Sequence, residues 1–432
     1  MAKKNIFIVG LDDFNKRFLE ALPEAEECDF HAALDYSEIR DVKSFNMKEL
    51  INKAIKRMES FEGNIDGVAS YYDFPGTDLV PVLADHFSLP SPTLESVLKC
   101  EHKYWSRLEQ RKAIPEHITE FQAFDPFDPY DDQVFEKIVL EPTYWIKPIK
   151  SFKSFMNFRI DNKQDFNEAI IKIRERAGFF CEPFTYFIDR YAQLPPEVSD
   201  LSNICLAEYP MGGFQVTLEG HCFQREVVAY GIVDSIREKD GTSFGRYQYP
   251  SNLPLEIQQK MMDIARKIIL HIELNNSPFN IEFFYDQRKD QIYLLEINPR
   301  VSEAHTEIFS KVHGHSHFSI MVDLCLGRNP PIMEKKGSYN VAAHFMVRHF
   351  EDGVVVSVPS KDDIRRVEVM FPETEIKILV KEGDRLSELV SVQSSYSFEL
   401  ANIFVGGRDE KDMLEKYQSI LDMLPIRIEN PE

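Results

Sequence analysis

The sequence predicts a mixed α/β fold, with a small parallel sheet first and strand-rich segments after it. Three observations lead to this prediction. Apolar strands alternate with helices at the front, two strands bearing polar residues lie beyond the middle, and short strands separated by turns fill the end. The chain has 432 residues, which indicates two or three domains rather than one core. We place the domains at 1–98, 99–330 and 331–432.

The composition excludes several classes of protein. With 43% hydrophobic and 28% charged residues, the chain is typical of a soluble globular protein. Its net charge of −21 disfavours nucleic acid and anionic membranes as partners. No apolar run approaches the roughly 18 residues of a transmembrane helix, and the start of the chain does not resemble a signal peptide. The 6 cysteines are scattered without metal-site spacing, which favours free thiols and a cytoplasmic location.

The front segment alternates strands with a helix. Residues 5–10 form a continuous apolar run that ends in Gly10, and residues 66–72 form a second strand. Residues 75–87 have helical spacing after a turn. These features predict a small, mostly parallel sheet flanked by helices. The later glycines of a dinucleotide-binding fingerprint are absent after Gly10, which disfavours a nicotinamide cofactor.

The most informative segment is a pair of strands at residues 279–285 and 291–300. The polar break between them predicts an antiparallel hairpin. Side chains of a strand alternate between its two faces. Any register in which the numbers of the paired residues add to an even number, such as Glu282 opposite Glu296 or Leu294, therefore places both glutamates on one face. The predicted polar face contains Asn280, Glu282, Phe284, Ile292, Leu294, Glu296 and Asn298. The predicted core face contains Phe279, Ile281, Phe283, Tyr293, Leu295 and Ile297.

Two carboxylates and an amide oxygen on one rigid face are ligands for a hard cation. Mg²⁺ prefers oxygen ligands and is usually held by one or two carboxylates together with substrate phosphates. The candidate metal ligands are therefore Glu282, Glu296 and Asn298. Arg300, just past the second strand, could bind a phosphate or a carboxylate through two parallel hydrogen bonds. The alternative is a surface hairpin whose polar face is merely solvated.

The run Glu282…Leu-Leu-Glu296-Ile-Asn298-Pro-Arg300 resembles the metal-binding signature of the ATP-grasp ligase superfamily. The resemblance extends over nearly the whole chain and is greatest for carboxylate–amine ligases of the L-amino-acid ligase and biotin-carboxylase type. It implies an ATP-grasp fold with an N-terminal α/β domain, a lid subdomain at 115–207 and a C-terminal β-rich lobe. It also implies ATP and Mg²⁺ as cofactors, with Mn²⁺ as an alternative ion.

Two lysines match superfamily positions that bind the ATP phosphates. Lys103 and Arg107 fit a K-x-x-x-R helix whose lysine reaches the α-phosphate, and an exposed helix with a solvated lysine is the alternative. Thr93 is expected to cap the helix before it. Lys147, in a strand at 141–149, fits the lysine of the α- and β-phosphates, and the resemblance gives it a catalytic role.

The loop after that strand departs from the superfamily pattern. Residues 150–159 contain no glycine, whereas the superfamily has a glycine-rich loop over the phosphates. Ser151 and Ser154 could still donate their hydroxyl groups to ATP. Lys150 or Lys153 could add positive charge. The resemblance therefore implies a bulkier loop that closes differently over ATP, or a member of low activity.

Residues 203–220 resemble the superfamily's adenine hinge and its following strand. Glu208 and Tyr209 match the hinge, and Met211 must supply any backbone donor because Pro210 has no N–H. Gln215 falls where a carboxylate usually binds the ribose hydroxyls, and an amide can serve there. A strand–turn–strand with Gly212-Gly213 as its hairpin turn is a second interpretation that is compatible with the first.

The segments on either side of the hairpin complete the site. Residues 244–254 are expected to be a loop before a long helix at 254–272, whose apolar stripe indicates core packing: Ile257, Met261, Ile264, Ile268 and Ile272. By resemblance, Ser302 and His305 face the substrate together with Arg300. The histidines at 313, 315 and 317 could form a metal site, although capping or substrate-pocket roles are favoured.

The resemblance implies an ADP-forming ligase. A substrate carboxylate would attack the γ-phosphate of ATP, and an amine would displace phosphate from the resulting acyl phosphate, with Arg300 holding the transferring group. Amino acids are the first choice of substrate because the C-terminal lobe and the region of His305 resemble that group. Biotin carboxylation and an ATP-binding regulatory protein are the alternatives. A homodimer is expected by analogy alone.

Overall fold

The computed structural model describes most of the chain. The described residues are 3–39, 45–128, 131–151, 156–176, 178–199, 204–239, 241, 243–389, 392–393 and 397–429, with the backbone alone described at 131–133 and 180. No helix among them is long and apolar enough to cross a membrane.

The front of the chain forms a three-stranded parallel sheet with helices packed against it. Its elements are β1 (Lys4–Leu11), α1 (Asp13–Glu20), β2 (Cys28–Asp35), α2 (Tyr36–Ile39), α3 (Met47–Glu59), β3 (Gly67–Ala69) and α4 (Gly76–Phe87). The strand order is β2-β1-β3, and both pairings are parallel. The middle of β1 is apolar on both faces and fully buried, as a strand covered by helices on each side requires. The predicted parallel sheet is confirmed, although β2 was missed.

Two helices and a four-stranded antiparallel sheet follow. The elements are α5 (Leu94–Glu101), α6 (Lys103–Ala113), β4 (Phe121–Phe124), α7 (Asp131–Lys137), β5 (Tyr144–Pro148), β6 (Phe158–Ile160), α8 (Lys163–Arg176), α9 (Gly178–Tyr191), α10 (Pro196–Ser199) and β7 (Cys205–Glu208). The strand order is β4-β7-β5-β6. The Thr93 hydroxyl caps α5 by accepting a hydrogen bond from the backbone N–H of Ser96 at 3.2 Å, as expected.

An eight-stranded antiparallel sheet forms the largest layer. Its elements and the helices beside it are β8 (Phe214–Phe223), β9 (Glu226–Arg237), β10 (Phe244–Tyr249), α11 (Leu255–His271), β11 (Ser277–Asp286), β12 (Gln291–Asn298), α12 (Thr306–His313), α13 (Phe318–Cys325), β13 (Val341–His349), β14 (Val354–Ser357), α14 (Lys361–Met370), β15 (Glu375–Ile378), β16 (Phe398–Gly407), α15 (Glu410–Met423) and β17 (Arg427–Glu429). The order is β12-β11-β8-β9-β10-β13-β16-β15. The strands after residue 331 thus extend the central sheet, apart from the β14–β17 pair.

Helix α11 covers one face of this sheet. Its predicted stripe is buried, and it packs with Phe279, Ile281 and Phe283 of β11 in one apolar cluster. This packing leaves the opposite face of β11 for polar side chains. The prediction of a loop at 244–254 was wrong in its first half, because β10 pairs with both β9 and β13.

Candidate functional site

The two glutamates of the hairpin lie directly opposite each other. Glu282 of β11 pairs in register with Glu296 of β12, and Asn280 pairs with Asn298. Paired residues of antiparallel strands share a face, so all four side chains are on the face away from α11. The predicted register with Glu282 opposite Glu296 is therefore the observed one.

A β-bulge corrects the predicted faces of the second strand. The register shifts between Glu282 and Phe283, so that Leu295 has no partner and Phe283 pairs with Leu294. Beyond this point Ile292 and Leu294 face the core, whereas we had assigned them to the polar face; Tyr293 and Leu295 are not part of the core. The extra residue, Leu295, reverses the faces to which the preceding side chains of β12 point. It allows two apolar residues to reach the core while Glu296 stays beside Glu282.

The neighbours of Glu282 determine its pKa and its hydrogen bonds. Burial raises the pKa of Glu282, and the adjacent Glu296 carboxylate raises it further, because a neighbouring carboxylate opposes ionisation of Glu282. The Gln215 side-chain N–H donates to Glu282 at 2.7 Å, and Arg237 donates to the Gln215 carbonyl oxygen at 2.7 Å. Gln215 therefore contacts a candidate metal ligand in this structure, and its predicted contact with ribose stays a prediction.

The donor set fits Mg²⁺ rather than a transition metal. Asn298 donates its side-chain N–H to the Asn280 side-chain oxygen at 3.0 Å, which leaves the Asn298 side-chain oxygen free to act as a ligand. A cation beside Glu282 would favour the ionised form of its carboxylate. Across the described part of the chain, no three or more His, Cys, Asp and Glu side chains form a metal-binding group. The protein would thus supply two carboxylates and an amide, with phosphate and water completing the shell.

Arg300 lies at the end of the hairpin. Its backbone carbonyl accepts a hydrogen bond from the Asn280 side chain at 3.1 Å, which ties it to the row of candidate ligands. Its guanidinium donates to Asp73 at 3.1 Å. Burial would lower the pKa of Arg300, but the Asp73 carboxylate raises it above its ordinary value, so the side chain stays charged. The arginine is therefore held as a cation beside the glutamate pair.

Lys147 and Glu208 form a buried ion pair between strands β5 and β7. The Lys147 ammonium contacts one oxygen of Glu208, and Arg107 of α6 donates to the other at 2.9 Å. Burial lowers the pKa of Lys147. Burial alone would raise the pKa of Glu208, but the two cations lower it to about 2. Glu208 is thus the shared counter-ion of Lys147 and Arg107, and its contact with ATP at the hinge stays a prediction.

Lys103 begins α6 and contacts the start of the phosphate loop. Its ammonium donates to the backbone carbonyl of Ser151 at 2.8 Å. Lys150 is buried and forms ion pairs with Glu101 and, at 3.5 Å, with Asp73. Lys150 thus has two carboxylate partners in this structure, and added charge from Lys150 at the phosphates stays a prediction. Ser154 and Lys153 lie outside the described residues.

The predicted adenine hinge connects two sheets. Strand β7 belongs to the four-stranded sheet and β8 to the eight-stranded one, so Gly212-Gly213 is not the turn of a hairpin. The backbone N–H and carbonyl of Tyr209 are hydrogen-bonded to Glu120 and Thr119, which makes Met211 the better placed residue for a backbone contact with adenine. Gly213 has φ +109°, and an added Cβ would lie 2.1 Å from the Tyr285 carbonyl oxygen. Only glycine fits at position 213, where the backbone passes this close to that of Tyr285.

The loop after Arg300 is in contact with buried polar side chains. His305 is 2% exposed, and its Nδ1 lies 2.8 Å from the Glu219 carboxylate. Burial lowers the pKa of His305 to about 3 and raises that of Glu219 to about 7. The backbone carbonyl of Ser302 contacts His317 Nε2 at 3.0 Å. His305 thus lies beneath the loop in this structure, and its contact with substrate stays a prediction.

The three further histidines do not form a metal group. His313 contacts the Tyr249 hydroxyl at 2.8 Å, and its ring and that of His317 each stack on Phe309. His315 lies just before α13, and its Nδ1 is 3.5 Å from the Ser319 hydroxyl of that helix. The capping role favoured for them is not seen at His317, which precedes α13 without a side-chain capping hydrogen bond, and a substrate-pocket role stays a prediction.

Several residues of the site were missed from the sequence. Asp73 follows a strand of the parallel sheet, where the carboxyl ends of strands commonly meet ligands, and this position was a usable signal. Glu219 continues the alternation of Gln215 and Thr217 in an otherwise apolar strand, which was a second signal. Arg237 had no local signal, because only the sheet brings it to Gln215.

Comparison with known proteins identifies the central domain. Residues 142–307 match the profile of the ATP-grasp domain family. Urea amidolyase from Saccharomyces cerevisiae is 28% identical over 267 residues, which are 61% of this chain and 13% of that protein. The C-terminal section of the carbamoyl phosphate synthase large chain from Methanopyrus kandleri is 28% identical over 153 residues, which are 34% of this chain and 28% of that protein. The chain therefore spans less than a third of either relative.

Solved structures have the same fold along the whole chain. The L-amino acid ligase from Bacillus licheniformis has a TM-score of 0.73 at 15% identity, with 100% of each chain covered. The biotin carboxylase domain dimer of the Hydrogenobacter thermophilus 2-oxoglutarate carboxylase, in complex with MgADP, ADP and bicarbonate, has a TM-score of 0.63 at 12% identity and covers 99% of this chain and 91% of that one. The predicted ATP-grasp domain and mixed α/β fold are confirmed.

Proposed function

We propose that this chain, which contains an ATP-grasp domain, is an ATP-dependent carboxylate–amine ligase. Its substrates would be amino acids, joined by an amide or peptide bond through an acyl phosphate, with release of ADP and phosphate. The observation that supports this most is the in-register pair of Glu282 and Glu296, with Asn298 beside it and Arg300 at its end. We keep the domain boundaries at 98 and 330, and the lid at 115–207, as part of the proposal.

The residues divide into three groups with different tasks. Glu282, Glu296 and Asn298 would hold Mg²⁺, or Mn²⁺ in its place, and the ion would neutralise the ATP phosphates. Lys147, whose ammonium group is paired with Glu208, would bind phosphate oxygens. Lys103 and Ser151 would complete the phosphate contacts, and Ser154 remains a candidate from the sequence alone.

Arg300 has the central role in the reaction. A carboxylate oxygen of the first substrate attacks the γ-phosphorus and the bond to ADP breaks; Arg300 would hold the transferring phosphoryl group by charge-assisted hydrogen bonds. The amine nitrogen of the second substrate then attacks the acyl carbon, loses a proton and displaces phosphate. Ser302 and His305 are proposed to shape the pocket for these substrates, the latter from beneath the loop.

The test is phosphate release from Mg·ATP with single and paired amino acids. We expect release to require two amino acids, to vanish in Glu296→Ala and to persist in Glu256→Ala. Glu256 is the matched control because it is an exposed carboxylate, 78% exposed, at the start of α11. Adding hydroxylamine should trap the acyl phosphate as a hydroxamate. Release without any trapped hydroxamate would contradict the acyl-phosphate step.

A biotin-carboxylase-like activity is the second candidate. It is favoured by the likeness to the biotin carboxylase domain dimer, whose dimer form also supports an expected homodimer here. Phosphate release that requires bicarbonate and biotin would assign the chain to this activity. Bound ATP without release under either condition would instead favour an ATP-binding regulatory protein, which the glycine-free loop supports.

A further inference from the structure

We propose that Asp73 of the front domain is a positioning residue for Arg300. The inference rests on the proposed function, because it concerns the arginine that would hold the transferring phosphoryl group. Asp73 lies in the turn between β3 and α4, and Arg300 follows β12 of the central sheet, so the contact joins two separate parts of the fold.

The geometry of Asp73 is fixed by its own turn. One carboxylate oxygen, Oδ1, accepts a hydrogen bond from the backbone N–H of Phe74 at 2.8 Å, and the Asp73 carbonyl accepts one from Gly76 at 3.0 Å. The second oxygen, Oδ2, is directed at the Arg300 guanidinium at 3.1 Å. A carboxylate held in this way can define the rotamer of a flexible arginine.

Arg300 keeps donors for an anion after it has bound Asp73. One terminal nitrogen donates to Asp73 and the other lies 3.4 Å from the Val301 carbonyl, while the Nε–H is buried with no acceptor in the described part of the chain. A guanidinium has five N–H donors in a fixed plane. Fixing one edge on Asp73 therefore fixes the direction in which the remaining donors meet a phosphoryl or carboxylate oxygen.

The same carboxylate is shared with the phosphate loop. Asp73 Oδ1 lies 3.5 Å from the Lys150 ammonium, and Lys150 also contacts Glu101 at the end of α5. Both side chains of the Lys150–Glu101 pair are 3% exposed, so the pair is a fixed anchor. Oδ1 of Asp73 thus lies near the buried Lys150 ammonium, and Oδ2 accepts the hydrogen bond from Arg300. The alternative is that Asp73 serves Lys150 and the junction alone.

A double-mutant cycle separates the two roles. Asp73→Asn keeps the shape and the acceptor for Phe74 but removes the charge; we expect kcat for phosphate release to fall roughly 10- to 100-fold with the Kd of Mg·ATP changed less than about 3-fold. In combination with Arg300→Gln, Asp73→Asn should cause no further loss, whereas with Lys150→Gln its effect should add. Asp85→Asn, an exposed aspartate on α4, is the matched control and should equal wild type.

Three results would overturn the inference. The first is full kcat in Asp73→Asn, which would leave the proposed ligase intact. The second is non-additivity with Lys150→Gln in place of Arg300→Gln, which would assign Asp73 to the junction. The third is a wild-type chain that releases no phosphate with any acceptor, which removes the proposed function and this role with it. If Asp73→Asn does not fold, Asp73→Glu takes its place in the cycle; it keeps the charge but displaces the carboxylate by one methylene group, and the loss should again be absent beside Arg300→Gln and additive with Lys150→Gln.

Discussion

Replacement of Glu208 by glutamine should destabilise the protein strongly. Glu208 is 4% exposed and is the shared partner of Arg107 and Lys147, which are themselves 2% and 6% exposed. Glutamine has the same shape without the charge, so both cations would stay buried without an anion at this point. Removing one partner of a buried ion pair typically costs about 3–5 kcal/mol.

The pKa of Glu208 gives the same magnitude independently. Its value of about 2 lies below the ordinary 4.5 because the cations outweigh the cost of burial. A difference of about 2.5 units corresponds to about 3 kcal/mol of stability. Because the folded-state pKa is depressed, this contribution is fully present above about pH 4.5 and is lost as the pH falls toward 2. At pH 3.5 about 2 kcal/mol should remain.

The assay is urea unfolding followed by tryptophan fluorescence. The chain has 2 tryptophans, Trp105 on α6 and Trp145 on β5, which are the elements that hold Arg107 and Lys147. Glu208→Gln should lower the free energy of unfolding by about 3 kcal/mol at pH 7 and by less at pH 3.5. The exposed Glu120→Gln, just before β4, is the control and should leave it unchanged. Equal stability of wild type and Glu208→Gln at pH 7 would refute the reasoning.

Two further stability predictions follow from packing. Gly213→Ala should cost at least about 2 kcal/mol, because alanine disfavours φ +109° and its Cβ would overlap the Tyr285 carbonyl. Gly212→Ala, whose Cβ would meet nothing closer than 3.9 Å, is its control in thermal unfolding, and equal losses would contradict the close approach. Ile268→Ala should cost about 2–5 kcal/mol through the cavity it leaves under β11. Leu255→Ala on the same helix, 82% exposed, should be nearly neutral by urea unfolding, and a comparable loss there would argue against core packing as the cause.

Much of the fold could be predicted from local sequence. The apolar run before Gly10 and the helical stripe from Ile257 to Ile272 became a buried strand and a buried helix face, because burial imposes these periods directly on the residues. The hairpin at 279–300 could also be predicted with its two glutamates on one face, whereas the choice between Glu296 and Leu294 as the partner of Glu282 stayed open until the structure showed Glu296. Strand β10 was expected to be a loop by resemblance to the superfamily, and its pairing with two neighbouring strands of the sheet makes it a strand.

The faces of β12 show where local reasoning ends. Strict alternation assigned Ile292 and Leu294 to the polar face, and one bulged residue reversed that assignment. A bulge is selected by how two strands fit the core beneath them, so the sequence of one strand does not determine it. The pairing of Glu282 with Glu296 survived because both lie on the same side of the bulge.

The sequence by itself determined which residue types the site would contain: two carboxylates, an amide, an arginine and two lysines, in an order that resembles ATP-grasp ligases. The tertiary structure alone decided their partners. Glu208 is the counter-ion of Lys147, and Lys150 is paired with Glu101. Asp73, 227 positions before Arg300 in the chain, accepts a hydrogen bond from it. The physical reason is that ion pairs depend on distances of a few ångströms, which are set by the packing of whole domains and leave no trace in local spacing.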